Sequence, residues 1–118
     1  MSPMQPTRPS SYVEFWPHYL RQHANPRTRA IHAAGTLAGL ALVAWGLLVG
    51  PAWLALVAIL VGYGAAWGSH LLVEGNRPAT FGHPLWSLGS DFRMAWLLLT
   101  GRLRAELDRA GVAPPRRD

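Results

Sequence analysis

The stretch AIHAAGTLAGLALVAWGLLVGPAWLALVAILVGYGAAWGSHLLV, residues 30–73, contains no Asp, Glu, Lys or Arg. Gly50-Pro51 interrupts it near its middle and leaves two apolar halves, residues 31–49 and 52–73. Each half has the roughly 20 apolar residues that a membrane-spanning helix needs. The stretch therefore predicts an antiparallel two-helix transmembrane hairpin with the Gly-Pro turn at its tip.

Composition separates this prediction from its alternative, a buried pair of helices in a soluble bundle. Half of the 118 residues are hydrophobic and 14% are charged, against about 25% charged in an average soluble domain. Two helices that are apolar all round would leave too little polar chain to enclose them in water. We therefore expect an all-α fold, a small helical membrane protein.

The eleven basic residues are all arginines, and they lie before Ala30 or after Glu74. They do not form the single basic stripe that is typical of nucleic-acid binding, so we expect no nucleic acid among the partners. The positive-inside rule instead predicts that both ends of the chain lie in the cytoplasm and that the turn lies outside.

An amphipathic helix is expected before the hairpin, over residues 12–24. Pro17 should either start this helix or kink it. Asn25-Pro26 then has the residue types of an N-cap and a first helical position, so the first hairpin helix should begin there. Residues 1–11 are predicted to be a disordered leader.

A second amphipathic helix is expected after the hairpin. Gly75 is predicted to be a left-handed C-cap, and residues 77–89 to form an ordered loop. Ser90 or Asp91 could cap a last helix over residues 92–110. The single helical membrane domain would then cover residues 12–110, and residues 111–118 would be a disordered tail.

Histidines bracket the charge-free stretch in a pattern that indicates a metal site. His32 lies 18 residues before the turn and His70 19 residues after it, so at roughly 1.5 Å per residue both lie about 28 Å from the tip. Glu74 follows His70 by four residues and should share its helix face, and His23 can fold back over the same end. His83 competes with Glu74 as a fourth ligand. Iron(II) and zinc both accept such a set.

Three motifs resemble the Mpo1-like family: YLRQHANPRTRAIHAAGT (residues 19–36), SHLLVEGNRPAT (69–80), and the residues GHPLWS (82–87), DFRM (91–94) and GR (101–102). The third resembles the bacterial branch, which implies a bacterial inner membrane. Fungal members are iron(II)-dependent dioxygenases that shorten 2-hydroxy fatty acids by one carbon in α-oxidation. The resemblance identifies His23, His32 and His70 as the shared histidines.

The resemblance implies an iron(II) dioxygenase that acts on a 2-hydroxy fatty acid or a related lipid with O2. The three histidines would bind Fe²⁺ and be catalytic, with Glu74 as fourth ligand or as an orienting partner. Substrate binding is assigned to Arg29, Asn76 and Arg77, and either arginine could bind the carboxylate in a bidentate pair.

Two other classes of function stay open at the level of sequence. A non-catalytic membrane hairpin could bind a partner, or a second copy of itself, through small residues four apart, Gly35 with Gly39 and Gly64 with Gly68. A zinc hydrolase could instead use Glu74 as general base on a metal-bound water.

Overall fold

The computed structural model describes residues 9–77 and 82–114, and within these ranges the chain is all-α, with no strand. The hairpin prediction is confirmed at the level of the fold, since two long helices are joined at Gly50-Pro51. The helices are α1 (Tyr12–Arg21), α2 (Pro26–Leu48), α3 (Leu54–Ser69), α4 (Pro84–Leu99) and α5 (Leu103–Arg109), and a π-helical turn, His70–Glu74, continues α3.

The two hairpin helices pack closely because glycines remove side chains from their contact. A Cβ atom added to Gly35 would lie 2.4 Å from the Cβ of Ala65, and one added to Gly39 would lie 3.2 Å from the carbonyl oxygen of Ala58. Gly35 and Gly39 therefore mediate the contact between the two helices of the hairpin. Around Gly64 and Gly68, by contrast, an added Cβ would meet nothing within 4 Å.

Both hairpin helices are long and apolar enough to cross a membrane. In the most apolar part of each helix, few residues are buried against the rest of the molecule. The buried share is 28% in Pro26–Leu48 and 22% in Leu54–Glu74. Large apolar side chains such as Leu48 and Leu72 are almost fully exposed. A core helix of a soluble bundle would be mostly buried, so the low burial favours the membrane alternative.

The first two helices begin at capping residues. The side chain of Ser11 accepts a hydrogen bond from the Glu14 amide, so α1 begins at Tyr12 and contains Pro17. Of the two expectations for Pro17, a start of the helix there is excluded. The Oδ1 of Asn25 accepts from the Arg27 amide at 2.8 Å, which confirms the predicted start of α2 at Asn25-Pro26.

The segment after the hairpin differs from its prediction in two respects. Helix α4 begins at Pro84, well before the predicted residue 92, because proline suits a first helical position. The expected single last helix is also two helices, since Gly101 has a φ of +72°. There the amide of Arg102 donates to the carbonyl of Leu97 at 2.8 Å, a bond of the Schellman motif that ends α4.

Ser90 and Asp91, predicted to cap a helix, lie inside α4 instead. Both are drawn into contacts with α1: the Ser90 hydroxyl hydrogen-bonds the Tyr12 hydroxyl at 3.0 Å, and Asp91 accepts from Tyr19. Their short polar side chains therefore join two helices rather than satisfy the amides of a helix end.

Helices α1, α4 and α5 enclose a small aromatic core at the open end of the hairpin. Val112 belongs to this core, since the turn at Gly111 (φ +81°) folds it back beside Leu107. The packed core therefore includes one residue beyond Ala110. Residues 1–8 of the predicted leader and 115–118 of the predicted tail lie outside the described residues. The core comprises Phe15, Trp16, Tyr19, Leu20, Met94, Leu103, Leu107, Ala110 and Val112.

Candidate metal centre

Three histidines from three segments converge at the open end of the hairpin. His23 lies in the turn between α1 and α2, His32 in the second turn of α2, and His70 at the start of the π-helical turn. One ring nitrogen from each lies within 4.8 Å of the others. All three side chains are buried, with 0%, 4% and 1% exposure, so they form an internal site. The sequence prediction that His32 and His70 lie level is confirmed.

Hydrogen bonds fix which ring nitrogen of His23 and His70 faces the centre. Nδ1 of His23 lies 2.7 Å from the carbonyl oxygen of Tyr19, and Nδ1 of His70 lies 2.7 Å from Oδ1 of Asn76. Both partners are acceptors, so each Nδ1 carries the proton and donates it. Each Nε2 then has a free lone pair, as a metal ligand requires.

The two Nε2 atoms with free lone pairs face one another, and their separation suits a metal ion bound between them. Nε2 of His23 lies 2.9 Å from Nε2 of His70. Two lone pairs at this separation repel, and the burial of both rings makes the repulsion more costly. A metal–imidazole bond is about 2.0–2.1 Å long, so one cation can reach both nitrogens. The donor set fits a transition metal.

The third imidazole, that of His32, contacts a carboxyl group on α4. Nε2 of His32 lies 3.4 Å from Oδ1 of Asp91, while its Nδ1 is buried without a hydrogen-bond partner in the described part of the chain. The same Oδ1 accepts a 2.6 Å hydrogen bond from the Tyr19 hydroxyl. Asp91 thus connects His32 with α1 in the way that carboxylates orient metal-binding histidines.

Sequence reasoning missed Asp91 as a residue of this site. Burial raises its pKa to about 7, although the hydrogen bond from Tyr19 opposes the shift. A carboxyl group with such a perturbed pKa is typical of functional sites. The available signal was the spacing of Ser87, Ser90 and Met94, which are buried on α4. Asp91 shares their stripe at helical intervals and therefore faces inward.

Burial also keeps His23 in the form that binds metal. Its pKa lies well below the ordinary value because the ring is desolvated and faces the imidazoles of His32 and His70. The carbonyl of Tyr19 opposes this shift. A neutral imidazole near neutral pH needs no deprotonation before it coordinates a cation.

Neither predicted fourth ligand joins the three histidines. Oε1 of Glu74 accepts a short hydrogen bond from the backbone amide of Asn25, so it ties the end of the π-helical turn to the start of α2. The ring of His83 is stacked on Trp86 at 4.8 Å and meets Phe15 edge-on at 5.4 Å. The described residues therefore bring together His23, His32 and His70, with Asp91 beside them.

The three residues predicted to bind substrate have different positions. Asn76 spans the site: its Oδ1 contacts His70, and its Nδ2 donates to the carbonyl of Gln22 at 2.9 Å. Nη1 of Arg29 donates to the carbonyls of His23 and Ala24 at 2.7 and 2.9 Å. Both side chains thus support the segments that carry the histidines. Arg77 is exposed at the end of the described segment.

The π-helical turn explains how Asn76 reaches back to His70. The amides of Gly75 and Asn76 both donate to the carbonyl of His70, and Gly75 adopts the left-handed conformation with φ +74°. This confirms the predicted C-cap at Gly75 and folds the chain over the ring of His70. Single π-helical turns are frequent at functional sites.

The chain matches the family model described as "Mpo1-like: 2-hydroxy-palmitic acid dioxygenase Mpo1-like" over residues 9–103. Because the match covers most of the chain, the protein belongs to the Mpo1-like family, as its motifs indicated. No curated protein and no solved structure matches it.

Proposed function

We propose that this protein is an iron(II)-dependent dioxygenase that shortens 2-hydroxy fatty acids by one carbon at a membrane. The observation that carries the proposal is the convergence of Nε2 of His23 and Nε2 of His70, 2.9 Å apart and beside His32, in a chain of the Mpo1-like family. Imidazole ligands with open positions suit non-haem iron(II).

The histidines would hold the metal, and the residues around them would fix the ring orientations. His23, His32 and His70 supply one nitrogen each, Asn76 orients His70, and Asp91 orients His32. Bound iron(II) would supply the electron transfer that activates O2. Because the imidazoles are buried, the centre excludes bulk water, which protects reactive intermediates from side reactions.

The proposed reaction balances when the lost carbon leaves as carbon dioxide. A 2-hydroxy acid and one O2 give the acid one carbon shorter, CO2 and water. The C1–C2 bond breaks, C2 is oxidised from an alcohol to a carboxyl carbon, and the four electrons released reduce O2 fully. No further reductant is required, and no 2-oxoglutarate is needed.

We propose that Arg77, which is exposed just after the Gly75 cap, binds the substrate carboxylate, and that Arg29 supports the turn at His23. We propose that the hairpin crosses a bacterial inner membrane and that α1, α4 and α5 lie at its cytoplasmic surface. The distribution of the arginines supports this orientation.

Metal binding and oxygen consumption test the proposal together. The full chain is purified in detergent, depleted of metal and loaded anaerobically with iron(II) or zinc. We expect one iron per chain, and oxygen uptake with 2-hydroxypalmitate that yields the fifteen-carbon acid by mass spectrometry. Palmitate, which lacks the 2-hydroxyl group, is the matched control substrate and should give neither.

The result also decides between the proposal and its alternatives. Turnover with zinc alone would indicate hydrolytic chemistry. A protein that binds no metal, and whose behaviour is unaltered by His70→Ala, would be a membrane hairpin without this activity. An iron-loaded protein that shortens no 2-hydroxy acid of any length would contradict the substrate assignment.

A further inference from the structure

An apolar groove runs along one side of the hairpin and reaches Asp91, which lies beside His32. Its volume is about 250 Å³, and it is bounded by α2, α3 and the middle of α4. Gly35, Gly39 and Gly62 form part of its lining, at the place where α2 and α3 pack closely.

The groove has a polar end next to His32. Asp91 and Thr36 line it there. Asp91 lies 3.4 Å from Nε2 of His32, and the Thr36 hydroxyl donates to the carbonyl of His32 at 2.9 Å. A molecule in the groove with its polar group at this end would present that group to the imidazoles.

Away from that end the groove is lined mainly by aliphatic and aromatic side chains. On α2 the lining runs from Gly35 to Val43, a separation of eight residues, which corresponds to roughly 12 Å at the rise of an α-helix. Leu40 and Ile59, at its sides, are about half exposed. The groove is thus open along the face of the hairpin that would meet lipid, and it is too short to enclose a sixteen-carbon chain completely.

We propose that this groove holds the first part of the acyl chain of a 2-hydroxy fatty acid, with the carboxyl and 2-hydroxyl groups at the Asp91 end. The inference rests on the proposed function, which places the reacting carbons at the histidines. The occupant is a free acid and not a phospholipid tail. The polar end is enclosed by Asp91 and His32, which are 13% and 4% exposed, so it suits a small polar group better than a phospholipid headgroup. The remainder of the chain extends past Val43 along the hairpin.

Photolabelling tests this location without requiring turnover. Metal-free full chain in lipid nanodiscs is irradiated with two 2-hydroxypalmitate probes, one with a diazirine near the carboxyl end and one with a diazirine in the middle of the chain. We expect the first probe to label α4 around Leu88 to Phe92 and the second to label Leu40, Val43 or Ile59. Uniform labelling of the hairpin, including its outward residue Leu48, would overturn the inference.

Two tryptophan variants on α3 provide a matched pair. Ile59→Trp places an indole in the groove, whereas Leu60→Trp places one at the adjacent residue, which is 73% exposed and does not line the groove. We expect Ile59→Trp to reduce mid-chain labelling at least about fivefold and Leu60→Trp to leave it unaltered. Equal labelling in the two variants would refute the assignment.

Competition distinguishes the two sources of an acyl chain. Unlabelled 2-hydroxypalmitate should prevent mid-chain labelling at a concentration at least about tenfold below that of lysophosphatidylcholine with the same chain. Equal competition would show a general lipid site and overturn the choice of a free acid. Labelling tests whether the acyl chain binds in the groove even if no acid is shortened. The iron and product measurements test the proposed function separately.

In active protein the Ile59→Trp and Leu60→Trp variants should also differ in kcat/KM. Ile59→Trp should lower kcat/KM for 2-hydroxypalmitate at least about tenfold and leave that for 2-hydroxyhexanoate unaltered, because the short acid does not reach residue 59. Iron content should stay that of the unmodified protein in both variants. An equal loss for both acids in Ile59→Trp would contradict an acyl-chain site.

Discussion

His23 and His70, 47 positions apart in the chain, bring their Nε2 atoms within 2.9 Å of each other inside the protein. Each ring donates from Nδ1 to an oxygen, on Tyr19 or on Asn76. Both nitrogens at the centre are therefore acceptors, and they have no proton to share. This arrangement is unfavourable without a cation and favourable with one, which makes metal affinity the most direct property to measure.

Removal of either of these imidazoles should abolish tight metal binding. We expect His23→Ala and His70→Ala to weaken iron(II) binding by more than about 100-fold, since loss of an orienting partner alone weakens a metal site by roughly 10–100-fold. Titration of metal-depleted protein measures the affinity, and circular dichroism checks that the helices persist.

His83→Ala is the matched control for the ligand set. Its ring lies against Phe15 and Trp86 rather than at the three histidines, so iron affinity should change less than about twofold. If His83→Ala loses metal as completely as His70→Ala, then His83 is a ligand and the set proposed above is wrong.

The sequence predicted the hairpin and its level histidines because both depend on simple counts. A charge-free stretch with one break defines two helices of nearly equal length, and His32 and His70 lie at equal distances from that break. These counts depend on no contact with another part of the chain. The two predictions therefore hold wherever α4 and α5 lie.

The prediction of Glu74 as a fourth ligand, by contrast, depended on the local helix geometry and on the positions of other helices. It placed Glu74 on the face of His70 by α-helical spacing, but the chain is π-helical from His70 to Glu74, and that changes the angle between the two side chains. Asp91 was missed because its role depends on where α4 begins and on its contact with Tyr19. Spacing alone could place Asp91 on the same helix face as Ser87 and Met94, but it gives neither the start of α4 nor the contact with Tyr19.

Asn76 should act as a positioning residue for His70. Asn76→Ala removes the acceptor for Nδ1 of His70 and should weaken metal binding by roughly 10–100-fold. Asn76→Asp keeps an acceptor oxygen and should recover most of the affinity. The visible spectrum of the cobalt(II)-loaded protein should shift in Asn76→Ala, because a reoriented imidazole changes the ligand field. Unaltered affinity and spectrum in Asn76→Ala would contradict this role.

The hydrogen bond between Tyr19 and Asp91 should contribute more stability than a neutral bond between the same two helices. It is 2.6 Å long, and well above pH 7 its acceptor is the charged carboxylate; bonds to charged groups contribute about 1.5–3 kcal/mol. Tyr12 bonds the Ser90 hydroxyl at 3.0 Å, for which about 1 kcal/mol is expected.

Thermal unfolding of Tyr19→Phe and Tyr12→Phe in one detergent measures the difference. Tyr19→Phe should be the less stable variant, and it should also bind iron more weakly because Asp91 is then free to move away from His32. Equal stabilities together with equal iron affinities would show that Asp91 does not depend on Tyr19 for its position.

The two glycine pairs should respond oppositely to alanine. At Gly35 the new Cβ would lie 2.4 Å from that of Ala65, so α2 and α3 must separate, and overpacking of this kind typically reduces stability by about 1–3 kcal/mol. At Gly64 nothing lies within 4 Å, and alanine should be neutral or raise helix stability by up to about 1 kcal/mol. Thermal unfolding compares the variants, and sedimentation reports their oligomeric state. A Gly64→Ala protein that dissociates from a dimer would instead assign that face to a contact between two copies.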